Sequence, residues 1–125
     1  KKYLMKKPNP KIYTGKVRKN LDLIIATTSD VTGIPVNRIM SKERTDEVVM
    51  ARWIIWWCCI KWLNLTLSGC GKFFGRDHAT VIHALEKTSY RLLLDRDRFF
   101  RRNIEAVTEE LGCPEIVPAE AHIYA

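Results

Sequence analysis

The residues best suited to chemistry with a partner form one short polar stretch, RDHAT, at positions 76–80. Gly75 precedes this stretch, and the apolar-periodic segment VIHAL follows it. Asp77 is a natural helix N-cap, so the stretch is predicted to form the first turn of a helix. A helix N-terminus carries unpaired N–H groups and partial positive charge, and it therefore suits an anionic or hydrogen-bonding partner.

The helix that begins at Asp77 is predicted to run to about Leu93 with two unlike faces. Its predicted packing face comprises Val81, Ile82, Leu85, Ser89 and Leu92. The opposite, outward face comprises Ala79, Thr80, His83 and Lys87. Immediately upstream, Thr66 is predicted to cap a short helix that ends at Phe73 or Phe74, with Gly75 as the turn. Two helices joined in this way form a helix-turn-helix pattern, which is weak evidence by itself.

The rest of the chain is also predicted to be helical, because no strand-like alternation persists anywhere. Further helices are expected from near Arg18 to Gly33, in a short segment at 35–40, from Thr45 to about Asn64, and from an Asp95 cap to Gly112. The helix after Thr45 is apolar over most of its circumference and should form the centre of the core. Its four tryptophans are expected in the core, with Trp57 the one suspected of facing a partner. The predicted fold class is all-α, a compact bundle of five to six helices.

The basic residues that give the chain its net charge are concentrated at its N-terminal end. Residues 1–20 hold eight of the 21 basic residues and none of the 14 acidic ones, so the formal charge of +7 belongs to one end. We expect a basic N-terminal arm at 1–17, one domain at 18–112 and a C-terminal tail at 113–125. Such an arm can bind nucleic acid or an acidic surface, or can simply be solvated, and composition leaves these alternatives open.

Several classes of function find no support in the sequence. No apolar run follows the basic start as in a secretory signal, and the longest run, at 53–60, is far below the roughly 20 residues that span a bilayer. Gly71-Lys72 lacks the spacing of a phosphate loop, the four cysteines make no C-x-x-C pair, and His78 and His83 are spaced poorly for one metal. We therefore expect a cytoplasmic protein with reduced thiols that is not an enzyme and needs no membrane, nucleotide, metal or cofactor.

The segment FGRDHATVIHA, residues 74–84, resembles the signature of the C-terminal DNA-binding domain of the bacterial replication initiator DnaA, which runs approximately F-G-G-R-D-H-T-T-V-L-H-A. Upstream, SKER at 41–44 and Arg52 fall at the positions of that domain's basic loop and long-helix arginine. The resemblance covers roughly residues 18–111 and excludes the initiator's ATPase module. There are three departures: one glycine of the turn is missing, Ala79 replaces a usual threonine, and Trp53 replaces a polar residue.

The resemblance implies sequence-specific binding of double-stranded DNA. Residues 77–80 would contact bases in the major groove, Arg44 would enter the minor groove, and Arg52 and Arg76 would hold phosphates or base edges. The full set of expected DNA-contacting residues is Lys42, Arg44, Arg52, Leu67, Ser68, Arg76, Asp77, His78, Ala79, Thr80, His83 and Lys87. The expected role is control of a replication origin or of transcription. The alternative is a protein-interaction module on the same fold, such as a modulator of the host replication initiator, so a protein partner stays open.

Overall fold

The computed structural model describes residues 7–94 and 98–120, and these form six α-helices with no strand among them. The helices are α1 (Gly15–Thr32), α2 (Val36–Ile39), α3 (Asp46–Lys61), α4 (Leu67–Phe74), α5 (His78–Leu93) and α6 (Arg98–Leu111). Short 3-10 turns lie at Pro10–Ile12 and Pro114–Ile116. The all-α prediction is therefore confirmed. No helix in the described part of the chain combines the length and apolar character needed to cross a bilayer.

Helix α3 is the centre of the bundle, as its all-round apolar pattern predicts. It contacts each of the other five helices, and most of its residues are buried. One expectation about it is wrong. Trp57 does not face a partner, because it is only 4% exposed and its Nε1 donates to the Ile116 carbonyl oxygen at 2.9 Å. The tryptophan of α3 that remains partly exposed is Trp53.

Local capping signals place most helix ends where the sequence predicts them. Gly33 ends α1 with a left-handed φ of 76°, a conformation that glycine adopts without strain. Two ends differ from prediction: α1 begins at Gly15 rather than near Arg18, and α3 ends at Lys61 rather than near Asn64. Asn64 itself has a φ of 56°, which does not continue a helix. The predicted cap Asp95 lies outside the described residues.

Helices α4 and α5 form the predicted helix-turn-helix pair. Gly75 has a left-handed φ of 72°, and the Arg76 N–H donates to the Gly71 carbonyl oxygen at 2.7 Å, which closes the turn tightly. The chain passes so close here that a Cβ at Gly71 would lie 2.6 Å from the Arg76 carbonyl oxygen. Because the backbone at Arg76 can approach Gly71 this closely, a turn with Gly75 as its only glycine connects the two helices.

The buried stripe of α5 is rotated from the predicted packing face. The fully buried residues of α5 are Val81, Ala84, Thr88 and Leu92, whereas Ile82, Leu85 and Ser89 are only half-buried. The reason is that α5 packs against α3 and α4 at the same time. Its buried residues are those that face both helices, at spacings of three, four and four, and they include the small Ala84 and the polar Thr88. Residue type alone favours the larger Ile82 and Leu85.

The predicted arm is partly packed onto the bundle. The Asn9 N–H donates to the Lys72 carbonyl oxygen at 3.0 Å, and the Tyr13 ring lies 6.0 Å from the Phe73 ring, centroid to centroid. A Cβ at Gly69 would overlap the Tyr13 hydroxyl, so the absence of a side chain at Gly69 makes room for this contact. Residues 9–13 therefore attach the basic end of the chain to α4.

The segment after α6 is likewise packed where it is described. Cys113 is fully buried, and Ile116 and Val117 contact the core. Arg101 is 8% exposed, and its Nη2 donates to the carbonyl oxygens of Leu92 and Pro118 at 2.7 and 2.8 Å. A buried guanidinium thus ties the tail to the end of α5.

Candidate nucleic-acid interface

One groove of about 600 Å³ lies between the loop after α2, helix α3 and the start of α5. Its cationic residues are Lys42, Arg44, Arg52 and Arg76; its apolar residues are Val49, Trp53, Trp56 and Ala79; its other polar residues are Asp77, Thr80 and His83. Eight of the twelve sequence-predicted DNA contacts therefore line a single groove. The wall residues Val49, Trp53 and Trp56 were not among those predictions.

The loop at residues 40–45, between α2 and α3, is held by hydrogen bonds to the carboxylate of Glu43. Glu43 accepts from Arg38 Nε at 3.0 Å, and the Arg38 Nη2 also bonds both Glu43 and Glu47. Thr45 Oγ1 donates to Glu43 at 2.7 Å. The hydrogen bond from Arg38, aided by that from Thr45, lowers the pKa of the Glu43 carboxyl from 4.5 to about 2. This network folds the loop so that Lys42 and Arg44 remain exposed.

Arg52 lies beneath that loop and is bonded to it rather than to solvent. Its position on an apolar helix predicts that the guanidinium either escapes at an edge of α3 or meets an anion. Instead, Nε donates to the Ile39 carbonyl oxygen at 2.7 Å, and Nη1 donates to that of Glu43 at 2.6 Å. Nη2 donates to the Ser41 carbonyl oxygen at 2.5 Å. Backbone carbonyl oxygens therefore accept the hydrogen bonds of the Arg52 guanidinium, for which the apolar side chains of α3 offer no acceptor.

Arg76 joins the same loop to the start of α5. It is half-buried; its Nη1 donates to the Phe74 carbonyl oxygen at 3.1 Å and its Nη2 to the Ser41 carbonyl oxygen at 3.0 Å. Burial, together with the like charge of Arg44, lowers the pKa of Arg76. Burial and the charge of Arg76 lower the pKa of Arg52 to about 10, which still leaves it charged at neutral pH. Three guanidinium groups therefore converge beside the groove.

The first turn of α5 presents the polar stretch as predicted. Asp77 is the N-cap, and its Oδ1 accepts from the Ala79 N–H at 2.9 Å. The His78 side chain is 63% exposed, and its Nδ1 lies 3.4 Å from Asp77 Oδ1. Ala79 and Thr80 are partly exposed on the groove wall. Hydrogen-bonding groups and a methyl group are thus displayed together at a helix N-terminus.

Four predicted contact residues lie outside the groove walls. His78 and Lys87 are exposed on α5, with Lys87 about one turn beyond His83. Leu67 and Ser68 occupy the first turn of α4, where Thr66 Oγ1 accepts from the Gly69 N–H at 3.0 Å. Their main-chain N–H groups stand at a helix N-terminus, which is the usual location of a phosphate contact.

No group of three or more His, Cys, Asp or Glu side chains within residues 7–94 and 98–120 is arranged to hold a metal ion. The four cysteines are buried and unbridged. Burial raises the pKa of Cys113 to about 11, and it raises those of Cys58 and Cys59 as well. These thiols are placed as small apolar side chains of the core.

The fold and groove define a class: a helix-turn-helix domain whose second helix presents polar residues beside a basic loop. Residues 21–88 match the family described as bacterial dnaA protein helix-turn-helix, and the chain belongs to that family. Membership supports a role in binding double-stranded DNA. The match spans the loop at residues 40–45, α3, α4 and most of α5, which are the elements that form the groove.

Individual relatives bear the same family name. The chain is 33% identical over 93 residues to the chromosomal replication initiator protein DnaA of Mycoplasma capricolum subsp. capricolum, which covers 74% of the chain and 20% of that protein. It is 30% identical over 92 residues to the DnaA protein of Thermodesulfovibrio yellowstonii, covering 73% and 20%. The DnaA protein of Lachnoclostridium phytofermentans is 30% identical over 93 residues. The chain spans about a fifth of the length of these relatives.

Proposed function

We propose that this chain binds double-stranded DNA sequence-specifically, with the N-terminus of α5 in the major groove and the loop at residues 40–45 in an adjacent minor groove. One observation carries the proposal: Arg44 and the polar first turn of α5 line the same groove of the protein. A helix N-terminus and a neighbouring cationic loop on one face can engage two successive grooves of a duplex at once.

In the major groove, the base contacts fall to residues 77–80. The Asp77 carboxylate can accept from a cytosine amino group while it caps α5, and His78 can donate to or accept from a base edge. The Ala79 methyl suits a thymine methyl, and the Thr80 hydroxyl suits a base or a phosphate. Because Ala79 lacks the hydroxyl of the family's usual threonine, the preferred sequence is expected to differ from the family's own at that position.

In the minor groove, Arg44 is the proposed contact. It is exposed on a loop that the Arg38–Glu43 pair holds in shape. The like charges of Arg52 and Arg76 nearby add positive potential. Narrow A·T-rich minor grooves attract arginine through their enhanced negative potential, so an A·T-rich flank is the expected neighbour of the major-groove site.

Phosphate contacts are proposed for the residues around this pair of elements. Lys42 is exposed beside Arg44, and Lys87 and His83 lie on the outward face of α5. The main-chain N–H groups of Leu67 and Ser68 can hold a phosphate at the start of α4. These contacts would set the position of the protein on the duplex without adding sequence preference.

The proposed role is control of replication initiation through sites of the DnaA-box type. The alternative role for the same DNA binding is regulation of transcription from such sites. The relatives are named chromosomal replication initiators, and the family match at residues 21–88 of this chain includes all the residues that line the groove. Binding of this kind requires no cofactor or nucleotide and involves no catalysis.

A second function is favoured by one observation, the partly exposed indole of Trp53 in the groove wall. An apolar wall with a cationic rim could also hold an acidic segment of a protein, such as the host initiator. Binding of a purified initiator by this groove, with no affinity for any duplex, would support this second function over the first.

The test compares two duplexes of equal length and composition, one that contains a DnaA-box sequence and one that is scrambled. Affinity is measured by fluorescence anisotropy at several salt concentrations, because nonspecific phosphate binding weakens steeply with salt. The proposal predicts tighter binding to the box duplex at every salt concentration, with the difference reduced by His78→Ala. Equal affinity for both duplexes would overturn sequence-specific recognition of that site.

A further inference from the structure

We propose that Arg52 and Arg76 are positioning residues, which fix the loop that carries Arg44 against the start of α5 before DNA is bound. The inference rests on the proposed function, since it concerns how its two DNA-contacting elements are held in register. In this role Arg52 does not contact DNA itself but holds the loop from which Arg44 does.

The first observation is the complete engagement of the Arg52 guanidinium. Each of its three nitrogens donates to a carbonyl oxygen of the segment from Ile39 to Glu43, at 2.5 to 2.7 Å. The residue is 7% exposed, so little of it can meet a phosphate from outside. A guanidinium is suited to this task because its planar fork holds several acceptors in fixed directions, whereas an ammonium offers one nitrogen.

The second observation is that Arg52 and Arg76 share an acceptor. The Ser41 carbonyl oxygen accepts from Arg52 Nη2 at 2.5 Å and from Arg76 Nη2 at 3.0 Å. Arg52 belongs to α3, and Arg76 precedes the N-cap of α5, so one carbonyl of the loop is tied to both helices. A carbonyl oxygen has two lone pairs and can serve both donors.

This arrangement determines the distance between the two proposed DNA-contacting elements. Arg44 lies three residues after Ser41, and Asp77 directly follows Arg76. If Ser41 is released, Arg44 is free to move relative to α5, and the like charges of Arg52 and Arg76 would drive it outward. A loop that is ordered in the free protein loses less conformational freedom on binding, which favours affinity.

The competing interpretation is that both arginines bind phosphates directly. The two interpretations differ for Arg52→Lys, which keeps the positive charge but replaces the three nitrogens of a planar fork with one, so it cannot hold the three carbonyl oxygens in their present positions. A direct phosphate contact tolerates this exchange and acts independently of Arg44. A positioning residue does not tolerate it, and its effect vanishes when Arg44 is absent.

The experiment is a double-mutant cycle of Arg52→Lys and Arg44→Ala, with affinity measured for the duplex that the wild type prefers. We expect Arg52→Lys to weaken binding about tenfold in the wild-type background and less than about twofold in the Arg44→Ala background. Equal effects in both backgrounds would overturn the proposal. The matched control is Arg101→Lys, which alters another buried guanidinium bonded to main-chain carbonyls, and it should leave affinity unchanged.

A second measurement does not depend on DNA. Amide hydrogen exchange of the free protein should quicken at the hydrogen-bonded N–H groups of residues 38–41 and 43 in Arg52→Lys, and should be unchanged there in Arg101→Lys. Unchanged exchange in the loop would overturn the positioning role whatever the DNA result. If the wild type binds no duplex, the proposed function fails instead, and this exchange result still decides whether Arg52 holds the loop. If Arg52→Lys does not fold, Arg76→Lys replaces it in both measurements.

Discussion

Trp53 and His83 meet edge to face across the groove, with ring centroids 6.1 Å apart and an interplanar angle of 79°. The Arg91 guanidinium lies 5.0 Å from the Trp53 ring centroid, so this indole is held between α3 and α5. The contact brings an aromatic side chain to the groove wall at a position where the family usually has a polar residue. It also fixes His83, a proposed phosphate-side residue, against α3.

Trp53 should therefore report DNA binding through its fluorescence. Saturation with the preferred duplex is expected to change the intrinsic emission, because Trp53 is partly exposed in the groove whereas Trp57 is buried against Ile116. Trp53→Phe should remove most of the change, and Trp57→Phe should leave it intact. A change that survives Trp53→Phe undiminished would place the duplex elsewhere on the protein.

Asp77 has two proposed tasks that substitution can separate. Asp77→Asn keeps a side-chain oxygen to accept from the Ala79 N–H, so the free energy of unfolding should change by only a few tenths of a kcal/mol. Because the amide differs from the carboxylate in charge and donor pattern, the preferred base at the contacted position should change. Asp77→Ala should lose the cap and cost about 0.5–2 kcal/mol of stability. Thermal unfolding and binding to a panel of single-base variants measure the two effects. Identical base preferences in wild type and Asp77→Asn would remove Asp77 from the base-contacting set.

The N-terminal segment should contain two parts with separable effects. Removal of residues 1–8 deletes four lysines but leaves the Asn9–Lys72 and Tyr13–Phe73 contacts. It should weaken binding to all duplexes equally and flatten the salt dependence. Removal of residues 1–14 should also lower the melting temperature, because it uncovers Phe73. A selective loss of the preferred duplex on the shorter deletion would contradict this division.

Protonation of Glu43 at low pH should destabilise the loop at residues 40–45. Its pKa in the folded chain is about 2, below its ordinary value of 4.5, because Arg38 and Thr45 donate hydrogen bonds to the carboxylate. The stabilisation is therefore present above pH 4.5 and is lost as pH falls from there through about 2. An NMR titration of the Glu43 carboxyl carbon should give a midpoint near 2, and Arg38→Met should raise it. A wild-type midpoint near 4.5 would show that the network does not form in solution.

The sequence predicts the helix-turn-helix well, because its boundaries depend on local signals. Thr66 and Asp77 cap their helices through their own side chains, and Gly75 takes a left-handed turn, so neighbouring residues suffice to place α4 and α5. The resemblance in residues 74–84 adds the groove-facing residues. The family match at 21–88 confirms the resemblance.

The partners of Arg52 could not be predicted in the same way. They are main-chain carbonyls, which every residue has, and they come from a loop 9 to 13 residues earlier in the chain. The only signal in the sequence is that Arg52 is a basic residue on an apolar helix, which indicates that its guanidinium needs hydrogen-bond acceptors from elsewhere in the chain. For a related reason the sequence does not predict that Trp53 rather than Trp57 is the partly exposed tryptophan of α3: a helix that is apolar all round gives no periodicity from which to orient its side chains.

The most direct test of sequence-specific DNA binding is selection of bound sites from a pool of random duplexes, performed with the wild type and with His78→Ala. We predict that the wild type enriches one motif with an A·T-rich flank, and that His78→Ala enriches the same flank with relaxed preference at one position of the motif. Recovery of an unenriched pool by a folded wild-type protein would contradict sequence-specific recognition by α5.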